Sequence, residues 1–153
     1  MERRKVIGVI GSSEPSESGH AAALAVGRQI ALGGAVLVCG GLGGVMAAAS
    51  RGCAEQGGLV LGILPGPEST QANPYVTLPV PTNMGHARNV IIAHTAPVLI
   101  AVEGGLGTLS EMAVALKLGR SVIGLGCSYD LPGLIRADSP EEAVRLAYRT
   151  FSD

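Results

Sequence analysis

The residues best suited to chemistry lie in one run, Glu103-Gly104-Gly105-Leu106-Gly107-Thr108-Leu109-Ser110-Glu111. A glycine turn entering a helix presents unpaired backbone N–H groups and the positive end of the helix dipole. Phosphate is the natural occupant of such a turn, with the Thr108 hydroxyl as an added donor. The same spacing also allows a capping box, in which Thr108 and Glu111 satisfy each other's backbone donors. A second run, Met84-Gly85-His86-Ala87-Arg88-Asn89, opens the helix that leads into the same strand. Arg88 there is either a solvated helix-start residue or a cation projecting into a crevice. His86 suits capping or support better than catalysis. Two more glycine turns, Gly11-Ser12-Ser13 and Gly40-Gly41-Leu42-Gly43-Gly44, complete the set. Some of these glycines serve only tight turns. Several on one edge nevertheless point to a ligand approached closely by backbone.

Composition narrows the ligand. The 153 residues carry a formal net charge of -1, with only 15% charged and 47% hydrophobic. That balance, with a mean hydropathy of +0.40, argues against disorder. Three tyrosines and one phenylalanine offer no stacking platform, and no basic face is available for phosphodiester backbones, so nucleic acid is not expected. Between Arg28 and Arg51 run 22 residues without a formal charge, long enough on paper to span a bilayer. The paired glycines 33–34, 40–41 and 43–44 break it into a helix end, a strand, a turn and a helix start. No membrane partner and no secretory leader are expected, and the cytoplasm is the expected location. Cys39, Cys53 and Cys127 are too scattered for a disulfide framework and read as buried hydrophobes in a reducing compartment. His20, His86 and His94 lack metal-ligand grouping, so no metal is expected.

The elements that must position these turns follow from periodicity. Apolar runs at Val6–Ile10, Ala35–Cys39, Leu59–Leu64, Pro97–Val102 and Val122–Leu125 end in Gly or Pro, the pattern of strands buried on both faces. Helical stretches fall at about 18–32, 44–56, 84–95, 108–118 and 140–151, with a short extended piece at Tyr75–Leu78. Alternation of strand and helix predicts one α/β domain over residues 1–153, a doubly wound parallel sheet flanked by helices. Ser139-Pro140-Glu141-Glu142 marks the last helix start, and Ala143, Val144, Ala147 and Phe151 should face the sheet. Pro65–Pro81 holds five prolines and reads as an excursion at the mouth of the fold. Parallel sheets bind ligands at the carboxyl ends of their strands, where every glycine turn above is found.

Common cofactors are excluded by motif. The first turn lacks the third glycine of a dinucleotide fingerprint, and the second strand ends at Cys39 rather than an acid. Neither Lys5 nor Lys117 sits in a Walker loop or in a position suited to a Schiff base with pyridoxal phosphate.

Taken together, Gly104–Glu111 and the His86-x-Arg88 element resemble the Lonely Guy superfamily, whose members have often been labelled lysine decarboxylases. The resemblance covers nearly the whole chain. It implies a Rossmann-like sheet, assembled as a homodimer or homotetramer, and no pyridoxal-phosphate decarboxylase chemistry. In the enzymatic branch, nucleoside 5′-monophosphates are hydrolysed to base and ribose 5-phosphate. Carried across, Gly104, Gly105, Gly107 and Thr108 would hold phosphate, and Glu111 and Arg88 would be catalytic. Gly11, Ser12, Ser13, Gly40, Gly41, Gly43 and His86 would bind the rest of the ligand. Enzymes of that branch normally have proline before the two glycines and lysine after the arginine, where this chain has Glu103 and Asn89. Glu103 must therefore point away from bound phosphate or pair, for instance with Arg88. The compact length, the short second glycine loop and Glu103 are closer to the molybdenum-cofactor carrier proteins, which bind a phosphorylated pterin. A carried molybdenum cofactor or similar phosphate-bearing molecule is the implied ligand, with no cofactor required for chemistry.

Overall fold

The computed structural model describes residues 1–152. Seven parallel strands form one sheet in the order β4-β3-β2-β1-β5-β6-β7. They are β1 Val6–Gly11, β2 Val36–Cys39, β3 Val60–Leu64, β4 Leu78–Pro81, β5 Val98–Val102, β6 Ser121–Leu125 and β7 Ile135–Ala137. The helices are α1 Glu17–Leu32, α2 Val45–Glu55, α3 Arg88–Thr95, α4 Leu106–Lys117 and α5 Pro140–Arg149. This is the Rossmann-like doubly wound α/β fold that the alternation predicts.

Why the central strands are continuously apolar is plain from what covers them. Along β5, Val98, Ile100 and Val102 face α1, α2 and α5, while Leu99 and Ala101 face α3 and α4. Both faces of a parallel strand lose contact with water, so alternation of polar and apolar residues disappears. The 22 charge-free residues after Arg28 resolve into the end of α1, β2, a turn and the start of α2. Among the described residues, no helix is long and apolar enough to cross a membrane. Helices α1 and α2 cross in close contact at two glycines. A Cβ on Gly27 would lie 2.0 Å from the Ala49 carbonyl oxygen, and one on Gly52 would lie 2.1 Å from that of Leu24.

The last helix begins as its sequence dictates. Ser139 Oγ accepts from the Glu142 N–H at 3.1 Å, and Pro140 occupies the first turn, where no N–H is needed. Ala143, Val144 and Ala147 are buried on the sheet, with Phe151 partly buried beside them.

Four boundaries differ from expectation. The extended piece at Tyr75–Leu78 becomes a strand three residues later, where Leu78-Pro79-Val80-Pro81 pairs with β3 at a sheet edge that tolerates proline. Strand β7 was not predicted, because a three-residue run containing Arg136 has no readable period. It pairs with Ile123–Leu125 of β6, and the Arg136 side chain holds the preceding loop by donating to the carbonyls of Cys127 and Tyr129. Helix 84–95 divides into a 3-10 turn at Gly85–Ala87 followed by α3. Most consequentially, α4 starts at Leu106 rather than at residue 108.

The chain runs outward from β1 to β4, then returns to lay β5 on the other side of β1. The strand order therefore reverses between β1 and β5, whose ends meet in the pairing of Gly11 with Val102. A crevice opens at such a point because the connections leave in opposite directions.

Candidate functional site

A cavity of about 480 Å³ occupies this crevice. Five chain segments meet there: Val9–Glu14 at and after the end of β1, Gly40 after β2, Met46 at the start of α2, the 86–89 segment at the start of α3, and the first two turns of α4.

The α4 wall is a helix end without a cap. Gly105 occupies the N-cap position, and no side chain there accepts a hydrogen bond. The first intrahelical bond runs from the Leu109 N–H to the Gly105 carbonyl, at 3.0 Å. The N–H groups of Leu106, Gly107 and Thr108 precede it and have no helical acceptor. Thr108 lies inside the helix, so the capping-box alternative for Thr108 and Glu111 is overturned. One helical turn separates the two residues, and both line the cavity. Gly105 and Gly107 also line it, and a Cβ on either would meet nothing within 4 Å. Neither has a positive φ. Glycine at these two positions relieves no clash and permits no unusual turn; it leaves space open.

Arg88 forms the opposite wall. The residue is only 8% exposed, and a Cβ on Gly40 would lie 2.5 Å from Nη1, so glycine there makes room for the guanidinium. Nη1 donates to the Asn89 side-chain oxygen, and Nε is buried with no hydrogen-bond partner among the described residues. Burial lowers the Arg88 pKa, offset in part by Glu111 and Cys39. Burial likewise pushes the Glu111 carboxyl up from 4.5 to about 7, against the pull of Arg88. Arg88 and Glu111 make none of the ion pairs found among the described residues. Two groups of opposite charge thus line one cavity without closing on each other.

Of the residues singled out from sequence, Gly11, Ser12, Ser13, Gly40, His86, Arg88, Gly105, Gly107, Thr108 and Glu111 surround this space. Gly104, Gly41 and Gly43 do not line it. Gly104, at φ 118°, turns the chain so that Thr108 packs beneath it. Gly41 is buried against Leu64, and Gly43 is exposed at the loop tip. Five lining residues were not among the predicted site residues: Val9 and Ile10 at the end of β1, Glu14, Met46 and Asn89. Glu14 was detectable in principle from the serine turn it completes, in which its N–H donates to Ser12 Oγ at 3.1 Å. Gly44 lies outside the lining but sets the β1 loop. A Cβ there would come within 2.5 Å of both the Ser12 and Ser13 carbonyl oxygens.

Glu103 does not pair with Arg88. Its carboxylate turns away from the cavity and accepts from the Ser16 N–H at 2.9 Å and the Ser16 hydroxyl at 2.5 Å. Lys5 lies over the Phe151 ring, and Lys117 ends α4; neither lines the cavity. Cys39, Cys53 and Cys127 are free and buried, as read from sequence. Among the described residues, no group of three His, Cys, Asp or Glu side chains is placed to hold a metal ion.

Known proteins share this architecture closely. The molybdenum cofactor binding protein of the phototrophic bacterium Rippkaea orientalis superimposes with a TM-score of 0.93 at 36% identity, covering 99% of each chain. The molybdenum cofactor carrier protein of Chlamydomonas reinhardtii gives 0.90 at 31% identity, over 98% of this chain and 100% of that one. An uncharacterized protein of Archaeoglobus fulgidus is 47% identical over 138 residues, covering 90% of this chain and 91% of that protein. The chain resembles these molybdenum-cofactor-binding and carrier proteins in structure, and its residues 4–149 match the SLOG cluster4 family, so it belongs to that family.

Proposed function

We propose that the protein binds a phosphate-bearing nucleotide- or pterin-like molecule in the β1–β5 crevice and carries it, with the molybdenum cofactor as one such cargo. The observation that carries this reading is the buried, unpartnered Arg88 Nε beside a cavity whose other wall is an uncapped helix N-terminus. An orphaned buried donor is costly unless a ligand satisfies it, and a charge-assisted bond to phosphate does so. Gly105, Gly107 and Thr108 would hold the phosphate, with Arg88 bridging to it. Gly11, Ser12, Ser13, Gly40 and His86 would border the remainder, where Met46 supplies an apolar wall for a flat ring. The cavity volume falls in the range usual for small-molecule sites. The resemblance to solved cofactor-binding and carrier proteins supports the same ligand class.

Calorimetric titration with 5′-AMP, and with adenosine as the control lacking phosphate, tests the reading. Binding of AMP but not adenosine is expected. Equal heats from both, or none from either AMP or the molybdenum cofactor, would overturn it.

A second reading rests on Glu111. A carboxyl held near neutrality beside a cation is suited to acid–base work, and an oxocarbenium-like state is stabilised by a nearby carboxylate. On that reading Arg88 and Glu111 are catalytic, and the protein is a nucleoside 5′-monophosphate phosphoribohydrolase. Free adenine appearing by chromatography with the wild type but not with Glu111→Gln would establish it.

We also infer self-association as a homodimer or homotetramer. Leu106 is 80% exposed at the α4 start, with Val90 of α3 and Leu118 past the α4 end also open to solvent. Water-exposed apolar groups on neighbouring helices are suited to a second copy. Light scattering that shows a monomer would refute the inference.

A further inference from the structure

We infer that Glu103 is a positioning residue that ties the α4 turn to the β1 loop and so sets the width of the cavity between them. The inference rests on the proposed binding reading only for its consequence on affinity.

The residue sits in a conformation that its side chain disfavours. Its φ is 53°, one of two positive values among the described non-glycine residues. Left-handed backbone is unfavourable for a branched-Cβ-free but long side chain such as glutamate, and persists only where the surroundings over-determine it. Those surroundings are specific. The main chain is held on one side, where the Glu103 N–H donates to the Leu125 carbonyl at 3.0 Å and its own carbonyl accepts from Cys127 Sγ at 3.3 Å. The side chain reaches across 87 positions of sequence to Ser16, where both carboxylate oxygens are engaged.

Ser16 is the N-cap of α1, its Oγ accepting from the Gly19 N–H at 3.0 Å. Space for the carboxylate comes from Gly19 itself, since a Cβ there would lie 2.2 Å from Oε1. The negative charge therefore rests at a helix N-terminus, which favours it. That placement explains how an acid can stand next to an anion cradle: its carboxylate is turned to the opposite side and hydrogen-bonded there by Ser16. It also joins two walls. Ser16 follows the Gly11–Glu14 segment by two residues, and Glu103 precedes the Gly104–Thr108 turn directly. With the link intact, the donors of both segments face one gap of constant width.

The test separates latch from fold with Glu103→Gly. Glycine adopts φ 53° freely, so relief of the backbone offsets part of the lost side-chain bonds. Amide hydrogen exchange on the ligand-free protein should show the Ser12 and Leu109 amides, bonded to the Val102 and Gly105 carbonyls, accelerating together, with the central strands unchanged. Affinity for 5′-AMP should fall roughly tenfold, about the effect of losing one charge-assisted bond. Glu103→Gln, which keeps an acceptor for the Ser16 N–H, should recover part of both. Acceleration of the Leu109 amide alone, or protection unchanged at both amides, would overturn the inference. So would unchanged affinity in Glu103→Gly while the wild type binds. If the wild type binds neither AMP nor the molybdenum cofactor, the binding reading fails alone, and paired acceleration still supports the latch.

Discussion

Replacement of Glu111 by glutamine should stabilise the protein above neutral pH and leave it nearly unchanged in acid. Burial holds the Glu111 carboxyl at about 7 against an ordinary value of 4.5, with the attraction of Arg88 already offsetting part of the effect. Ionised Glu111 is therefore a burden on the folded state. Its folded pKa lies above the unfolded one, so the folded protein binds the proton more tightly. The advantage is full below about 4.5 and is lost as pH rises through about 7. The interval corresponds to about 3 kcal/mol at about 1.4 kcal/mol per pH unit. Glutamine carries no charge and escapes that burden. In a chain of this size, Glu111→Gln should raise Tm by several degrees at pH 8, at about 2–4 °C per kcal/mol. At pH 4.5 the two proteins should melt within about a degree of each other. Parallel thermal scans from pH 4.5 to 8.5 provide the assay, and the carboxyl ¹³C shift of Glu111 should titrate near neutrality. A residue acting as a helix cap would behave oppositely, with its removal destabilising by about 0.5–2 kcal/mol at every pH. That result, or a carboxyl titrating near 4.5, would refute the assignment of Glu111 to a desolvated cavity wall.

Three further outcomes follow from the same geometry. Gly105→Asp should abolish AMP binding in calorimetry while Tm moves by no more than about 2 °C, the effect of about 0.5 kcal/mol, because its Cβ enters open space and its φ is -107°. Arg88→Met should weaken AMP at least about tenfold yet leave urea unfolding unchanged or shifted to higher midpoint, since it removes a buried cation with an unsatisfied Nε. Gly27→Val should lower stability by about 1–3 kcal/mol or more in the same unfolding assay, because its Cβ meets the Ala49 backbone rather than a movable side chain.

How far the sequence reaches is visible residue by residue. Apolar runs closed by glycine or proline located five of the seven strands, because a doubly covered strand must be continuously apolar whatever lies beside it, and the exposed edge strand β4 lies three residues beyond the extended piece read at Tyr75–Leu78. The start of α5 was legible for a similar reason: Ser139, Pro140 and Glu142 satisfy one another within four residues. The grouping of Arg88 with the Gly104–Glu111 turn could be anticipated, since parallel topology brings strand ends to one edge. What remained undecided depended on contacts distant in sequence. Thr108-Leu109-Ser110-Glu111 spells a capping box, and only the α4 start at Leu106 turns it into part of a cavity wall. The direction of the Glu103 carboxylate rests on Ser16 and on the space above Gly19, which no local pattern encodes. Gly105 and Gly107 leave room for a ligand whereas Gly40 makes room for Arg88, yet the letters are identical. Local chemistry determines where a chain turns and which faces are apolar; packing alone decides which groups are left unpaired at the place where five segments meet.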